Sequence, residues 1–262
     1  MQLIADNLQI INPTIQDAVK RMDPDPIRRL VAQCVQAGAQ AIDLNMGPLP
    51  RNSERMMAFC VETVQVATDL PILIDTANPN AMAAGLAANR KTAVINGFSL
   101  EPAKLEAMLP LAKQYQADII GYLLYPDSRV PQTAAERFSL ALGLYDRVQQ
   151  SGIEKERLII DPVIVPVAWD DGIQQASEVL SVIGGLPDLL GFGVRTVAGL
   201  SNLTAGRGYL LQRRLLERAY LPMLAHAGLS MVLLNVFHEE TMRTARGCNC
   251  LKAGGVFTWE EL

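Results

Sequence analysis

The sequence predicts a single (β/α)8 barrel, the TIM-barrel class of α/β folds, on three observations. Short apolar, β-rich runs alternate with longer stretches of helical period eight times along 262 residues. Most of the short runs are continuously apolar, as parallel strands buried on both faces are. No Gly-x-Gly-x-x-Gly follows the first run, which weighs against a doubly wound sheet, the main alternative. No linker or low-complexity segment divides the chain, so residues 1–262 are expected to form one domain.

The elements follow in order. A first strand is expected over residues 3–9. The helix after it starts past Asp25, carries Pro26 in its first turn and stops near Gly38. It keeps Ile27, Leu30, Val31, Cys34 and Val35 on one face. Strands two to five are expected at 39–45, 72–75, 93–96 and 119–125. Thr133 and Glu136 have capping-box spacing ahead of Phe138, Ala141, Leu142 and Tyr145, and Gly152 suits the stop. Strand six is expected at 158–161. Gly184 and Gly185 are read as the end of a helix holding Ile173, Leu180 and Ile183. Strand seven is expected at 189–194, with an extension to Leu200 left open. The next helix contains Pro222, so a kink or break is expected there. Strand eight is expected at 231–236.

Composition narrows the function classes. Half of the residues are apolar and 19% are charged, which describes a globular chain. The formal net charge is -4, with no Lys/Arg-rich block, so no partnership with nucleic acid is expected. No apolar run reaches the ~18 residues of a membrane span. The start, Met1-Gln2-Leu3-Ile4-Ala5-Asp6, has neither a basic region nor a cleavage site. The four cysteines, Cys34, Cys60, Cys248 and Cys250, form no disulfide framework. A cytoplasmic protein with reduced thiols is expected.

Chemistry in such a barrel collects at the C-terminal ends of the strands. Strand two ends Asp43-Leu44-Asn45-Met46-Gly47-Pro48, and strand three ends Asp75-Thr76-Ala77-Asn78. Strand four ends Asn96-Gly97-Phe98-Ser99, and strand six ends Asp161-Pro162-Val163-Ile164-Val165-Pro166. Strand seven is followed by Gly199-Leu200-Ser201-Asn202. Any one of these residues has a plain alternative role as a helix cap. Five polar ends around one mouth are harder to explain by capping alone. They make a pocket of acceptors and amides without a nucleophile–base pair. Neither His226 nor His238 falls at a clear strand end. Carboxylates that accept from adjacent N–H donors, with an amide between them, suit a planar donor-rich heterocycle. A pterin meets that description; the same groups would also permit a flavin, a purine or a sugar.

These strand ends resemble the pterin-binding methyltransferases. That family includes methyltetrahydrofolate:corrinoid/iron-sulfur protein methyltransferase and the folate module of cobalamin-dependent methionine synthase, with a dihydropteroate-synthase-like barrel. The matching segments are Ala41-Ile42-Asp43-Leu44-Asn45-Met46-Gly47-Pro48, Ile74-Asp75-Thr76-Ala77-Asn78, Val94-Ile95-Asn96, Ile160-Asp161-Pro162-Val163-Ile164-Val165-Pro166 and Gly199-Leu200-Ser201-Asn202. The resemblance implies that Asp75, Asn96 and Asp161 hold the pterin ring and that Asn202 hydrogen-bonds N5 as the catalytic residue. Asp43 and Asn45 would support them near the pocket floor. The implied substrates are tetrahydrofolate or 5-methyltetrahydrofolate and a corrinoid carried on a separate protein, with direction of transfer open. A homodimer is also implied, and no metal bound by this chain. The first strand departs from the family pattern: Ala5-Asp6-Asn7-Leu8-Gln9 stands where Gly-Glu-Arg-hydrophobic-Asn is usual. Arg207, in a glycine-rich loop after Asn202, is a candidate contact for a glutamate tail or the partner; a solvated arginine is its plainer reading.

Three rival readings share parts of this pattern. Dihydropteroate synthase-type condensation needs a Lys-x-x-x-Arg-His-type ending, and Leu233-Leu234-Asn235-Val236-Phe237-His238-Glu239-Glu240 has no such basic pair. A zinc-dependent methyltransferase needs a His/Cys ligand set, and Cys248-Asn249-Cys250 is the only cluster. A non-catalytic folate-binding barrel would keep the ring-binding residues and not need Asn202.

Overall fold

A computed structural model describes residues 1–47, 52–206, 208–252 and 259. Eight parallel strands close into a barrel in chain order: β1 (Gln2–Gln9), β2 (Ala41–Asn45), β3 (Ile72–Asp75), β4 (Ala93–Phe98), β5 (Asp118–Tyr122), β6 (Leu158–Asp161), β7 (Arg195–Gly199) and β8 (Met231–Leu234). Around them run α1 (Pro13–Arg21), α2 (Pro24–Gln36), α3 (Ser53–Ala67), α4 (Pro79–Ala88), α5 (Pro102–Gln114), α6 (Ala134–Gln150), α7 (Gly172–Leu190), α8 (Leu210–Ala227) and α9 (Glu239–Lys252). Among the described residues no helix is long and apolar enough to cross a membrane.

Side-chain alternation along each strand sorts the barrel into layers. Ile4, Ala41, Leu73, Val94, Ile120, Ile159, Val197 and Met231 form one inward-facing apolar cluster. The alternate residues, among them Ile42, Leu44, Ile74, Ile95, Ile119 and Ile160, face outward and pack under the helices. Two residues further along several strands, the next inward position is polar: Asp6, Asp43, Asp75, Asn96, Tyr122 and Asp161. The strand period alone therefore lifts a polar ring directly above an apolar plug. Bulges interrupt the ladder between Ala5 and Leu8 on β1 and between Asn96 and Phe98 on β4. Bulges near a mouth re-aim side chains that a regular strand would point elsewhere.

The structure corrects several boundaries. Helix α2 begins at Pro24, because Asp23 caps it by accepting from the Asp25 amide at 3.0 Å. An additional helix, α1, precedes it, capped by Asn12. Gly184 and Gly185 do not end α7, which runs to Leu190 and stops at Gly191 with φ 72°. A Cβ on Gly185 would lie 2.7 Å from Cζ of Phe138, so this glycine permits the close approach of α6 and is not a stop. Residues 189 and 190, expected as strand, close that helix, and β7 starts only at Arg195. Pro222 lies inside a continuous α8 and does not break it. Tyr220, Leu221, Leu224 and Ala225 bury that helix on both sides of the proline, and tertiary packing outweighs the lost backbone bond. Strand β8 ends at Leu234, where Asn235 accepts from the Phe237 amide and turns the chain.

Candidate active site at the barrel mouth

Five of the residues singled out in the sequence come together on the mouth-facing layer of β2, β3, β4 and β6. Register sets Asn45 beside Asp75, and Asp75 beside Asn96. Asn45 Nδ2 donates to Asp75 Oδ2 at 2.6 Å. Asn96 Nδ2 donates to Asp43 Oδ1 at 3.0 Å. Asp43 is in register with Leu73 of the neighbouring strand and is 2% exposed. Asp161 stands beside Tyr122 on β5, and its Oδ1 accepts from the Val163 amide at 2.8 Å.

The capping alternative holds for Asn78, whose Oδ1 accepts from the Asn80 and Ala81 amides at the head of α4. It does not hold for Asp43, Asn45, Asp75 or Asn96, whose side chains bond to one another across strands. Asp161 caps only the turn that leaves its own strand.

Burial dominates the electrostatics. It pushes the Asp75 carboxyl up to about 7, against the hydrogen bond from Asn45, which lowers it. It also pushes Asp161 up to about 7, against the Val163 amide. Asp43 is held well above the usual carboxylate range by burial first and then by the neighbouring Asp75 charge. Two carboxyls poised near neutrality can accept hydrogen bonds from a donor-rich ligand, whose N–H groups would favour their charged forms.

Asn202 is placed differently. It sits in a short 3-10 helix (Leu200–Thr204) after β7, and it is exposed. A Cβ on Gly199 would stand 3.0 Å from Asn202 Nδ2, so the glycine leaves room for this side chain. The Val167 amide, in the loop that leaves Asp161, donates to the Leu203 carbonyl at 2.9 Å and ties the two loops together. Arg207 and Pro48 lie outside the described residues.

Sequence reasoning missed three contributors. Tyr122 donates from its hydroxyl to Asn96 Oδ1 at 2.7 Å, on the inward parity that the closed barrel gives Ile120. Asp6, on the β1 bulge, receives a hydrogen bond from Ser201 Oγ at 3.5 Å, and burial pushes its carboxyl up to about 6. Asn7 donates to Asn235 Oδ1 at 2.7 Å and accepts from the Val236 amide at 3.1 Å, locking β1 to the end of β8. Asp6, Asn7, Ser201, Arg213, Arg214 and His238 line part of a cavity of about 720 Å3 on this side of the mouth.

The cysteines do not build a comparable centre. Cys34 and Cys60 are buried, and burial pushes both thiols up to about 12. Cys248 and Cys250 lie on α9. Among the described residues no three His, Cys, Asp or Glu side chains gather as a metal site.

Comparison with known proteins adds to this geometry. Residues 10–235 match the family model described as pterin binding enzyme. A relative named methylcorrinoid:tetrahydrofolate methyltransferase, from Eubacterium limosum, is 23% identical over 248 residues, covering 92% of this chain and 88% of the relative. Among solved structures, a dihydropteroate synthase of Clostridium difficile, determined in the presence of pteroic acid, is similar with a TM-score of 0.72 at 16% identity. It covers 96% of this chain and 97% of its own. A dihydropteroate synthase of Xanthomonas albilineans in complex with 7,8-dihydropteroate has a TM-score of 0.66 at 20% identity, covering 97% and 94%. At these identities the solved structures speak for the fold alone.

Proposed function

The chain belongs to the family of pterin-binding enzymes, and from that premise we propose that it is a methyltransferase acting between N5 of tetrahydrofolate and the cobalt of a corrinoid carried on a separate protein. The observation that carries this reading is the side-chain ring of Asp75, Asn96 and Asp161 above an apolar plug, beside the turn that bears Asn202. The likeness to the Eubacterium limosum methyltransferase supports the same chemistry.

In this reading Asp75 and Asp161 accept from the amino and ring N–H groups of the pterin, and Asn96 both donates and accepts. Tyr122 and Asp43 hold the Asn96 amide in one orientation. Asn45 does the same for Asp75. A preorganised ring of this kind fixes the pterin plane without reorganising when charge moves. The cavity lined by Arg213 and Arg214 takes the rest of the substrate, with the arginines suited to the carboxylates of a glutamate tail.

N5 is the reacting atom. In transfer toward folate, N5 forms a bond to the methyl carbon, the carbon–cobalt bond breaks with its electron pair staying on cobalt, and N5 gives up its proton. In the opposite sense N5 must carry positive charge before it can leave the methyl. Asn202 stays neutral, hydrogen-bonds N5 and is open to water, which carries the proton to or from the site. The corrinoid is a substrate brought to the mouth by its own protein. The reading includes a homodimer and work in the cytoplasm; exposed Leu211 and Leu215 on α8 offer an apolar face for association.

The test mixes the protein with tetrahydrofolate and methylcobalamin and follows the cobalt spectrum together with 5-methyltetrahydrofolate. Loss of methylcobalt matched by methylated folate supports the proposal. Folate binding without transfer, to free cobalamin or to a corrinoid protein, would make this a folate-binding barrel. Condensation of a dihydropterin diphosphate with an aminobenzoate would make it a dihydropteroate synthase. No binding of any pterin would overturn the reading.

A further inference from the structure

Arg137 is fully buried, on α6, and no part of the proposed chemistry uses it. Its Nε donates to the Pro162 carbonyl at 3.0 Å, and its Nη2 donates to Gln175 Oε1 at 2.9 Å. Gln175 in turn donates to Asp171 Oδ2 at 2.8 Å. Among the described residues no carboxylate pairs with the guanidinium directly; Glu178, Glu136 and Asp171 favour its charge from further away. Nη1 has no partner among the described residues. Burying an arginine this way is expensive, and an apolar side chain would pack the same space at lower cost.

What the guanidinium grips explains its presence. Pro162 is the residue after Asp161, and Val163 follows with φ 63°, a region that β-branched residues rarely enter. Only a firm hold keeps such a turn. Asp161 Oδ1 holds it from inside the barrel through the Val163 amide, and Arg137 holds it from outside through the Pro162 carbonyl. The two grips act on the two ends of one peptide unit, the Pro162 carbonyl and the Val163 amide, so the direction of the Asp161 carboxylate depends on both.

We propose that Arg137 is a positioning residue that sets the Asp161 carboxylate for its ligand by clamping the Pro162 carbonyl. The inference rests on the pterin reading for what the ligand is, but the clamp itself can be read without any ligand. Its first test is amide hydrogen exchange at Val163 in the free protein. In R137M the Val163 amide should exchange faster while amides in the middle of β6, such as Ile160, keep their protection. Unchanged exchange at Val163 would overturn the clamp whether or not the protein binds pterins.

The second test is tetrahydrofolate binding in a double-mutant cycle with D161A. R137M alone should weaken binding about tenfold, the scale of one hydrogen bond to a charged group. R137K keeps the charge and one donor and should recover part of that loss. In the D161A background R137M should add almost nothing, because the group it positions is gone. An equal penalty in both backgrounds would assign Arg137 a purely structural role. Should R137M fail to fold, R137K and Q175A carry the same cycle. Failure of wild-type protein to bind tetrahydrofolate would sink the function proposed above and leave the exchange experiment to decide the clamp.

Discussion

The two halves of the barrel mouth are built on opposite plans. From β2 to β6 the polar side chains are buried or half-buried and seated on an apolar plug, and all but Asp161, which holds the Val163 amide, bond to one another. From β7 through β8 to β1 the mouth opens into a cavity, with Asn202 exposed and arginines at its wall. The closed half has little freedom left and is suited to recognising one rigid, donor-rich ring. The open half can admit a second reactant and water. The difference suggests a division of labour between binding on one side and transfer on the other.

The largest effect should come from emptying the closed half. Replacing Asp75 and Asp161 together by Ala should weaken tetrahydrofolate binding about a thousandfold, as two charge-assisted hydrogen bonds are lost. Isothermal titration measures it, and a small loss would mean that the ring binds elsewhere. Acidity should act on the same groups. Both carboxyls stand near 7 and bind as carboxylates, so affinity should rise as pH increases from about 6 to about 8. Proton release on binding near pH 7 provides an independent check, and a flat profile would count against these two acids.

Stability should respond with the opposite sign. The folded-state value of Asp161 is raised above the unfolded one, so this group favours the fold at acidic pH. That contribution fades as pH rises from about 4 through about 7. The D161N variant should therefore melt higher than wild type at pH 8 and lose that advantage near pH 4, as thermal unfolding would show. The smallest effect on function is expected far from the mouth. G185A forces a Cβ against Phe138 and should cost about 1–3 kcal/mol of stability, typical of overpacking, while pterin binding stays as in wild type.

Much of this division could be read from the chain before folding. Strands β3 and β6 lie where the apolar runs predict them, and the polar residues at their ends do rise into the mouth. What escaped detection depends on contacts distant in sequence. Gly185 reads as a helix stop until Phe138 is seen against it, and misreading it displaced the seventh strand into the end of α7. Tyr122 escaped because an apolar run gives no inward or outward parity until the barrel closes. Arg137 did leave a trace: it shares a helical face with Leu140, Ala141 and Leu144, all buried. A charge on a core-facing stripe is a signal that periodicity can supply, though its partner, the Pro162 carbonyl, needs the fold.

The division itself is tested most directly by one variant measured two ways. In N202A, tetrahydrofolate affinity and the single-turnover rate of methyl transfer from methylcobalamin are compared with wild type. The account predicts affinity within a few-fold of wild type and a rate lower by about a hundredfold, the scale of losing one preorganised hydrogen bond at the reacting atom. A rate equal to wild type, or a rate loss matched by an equal loss of binding, would contradict it.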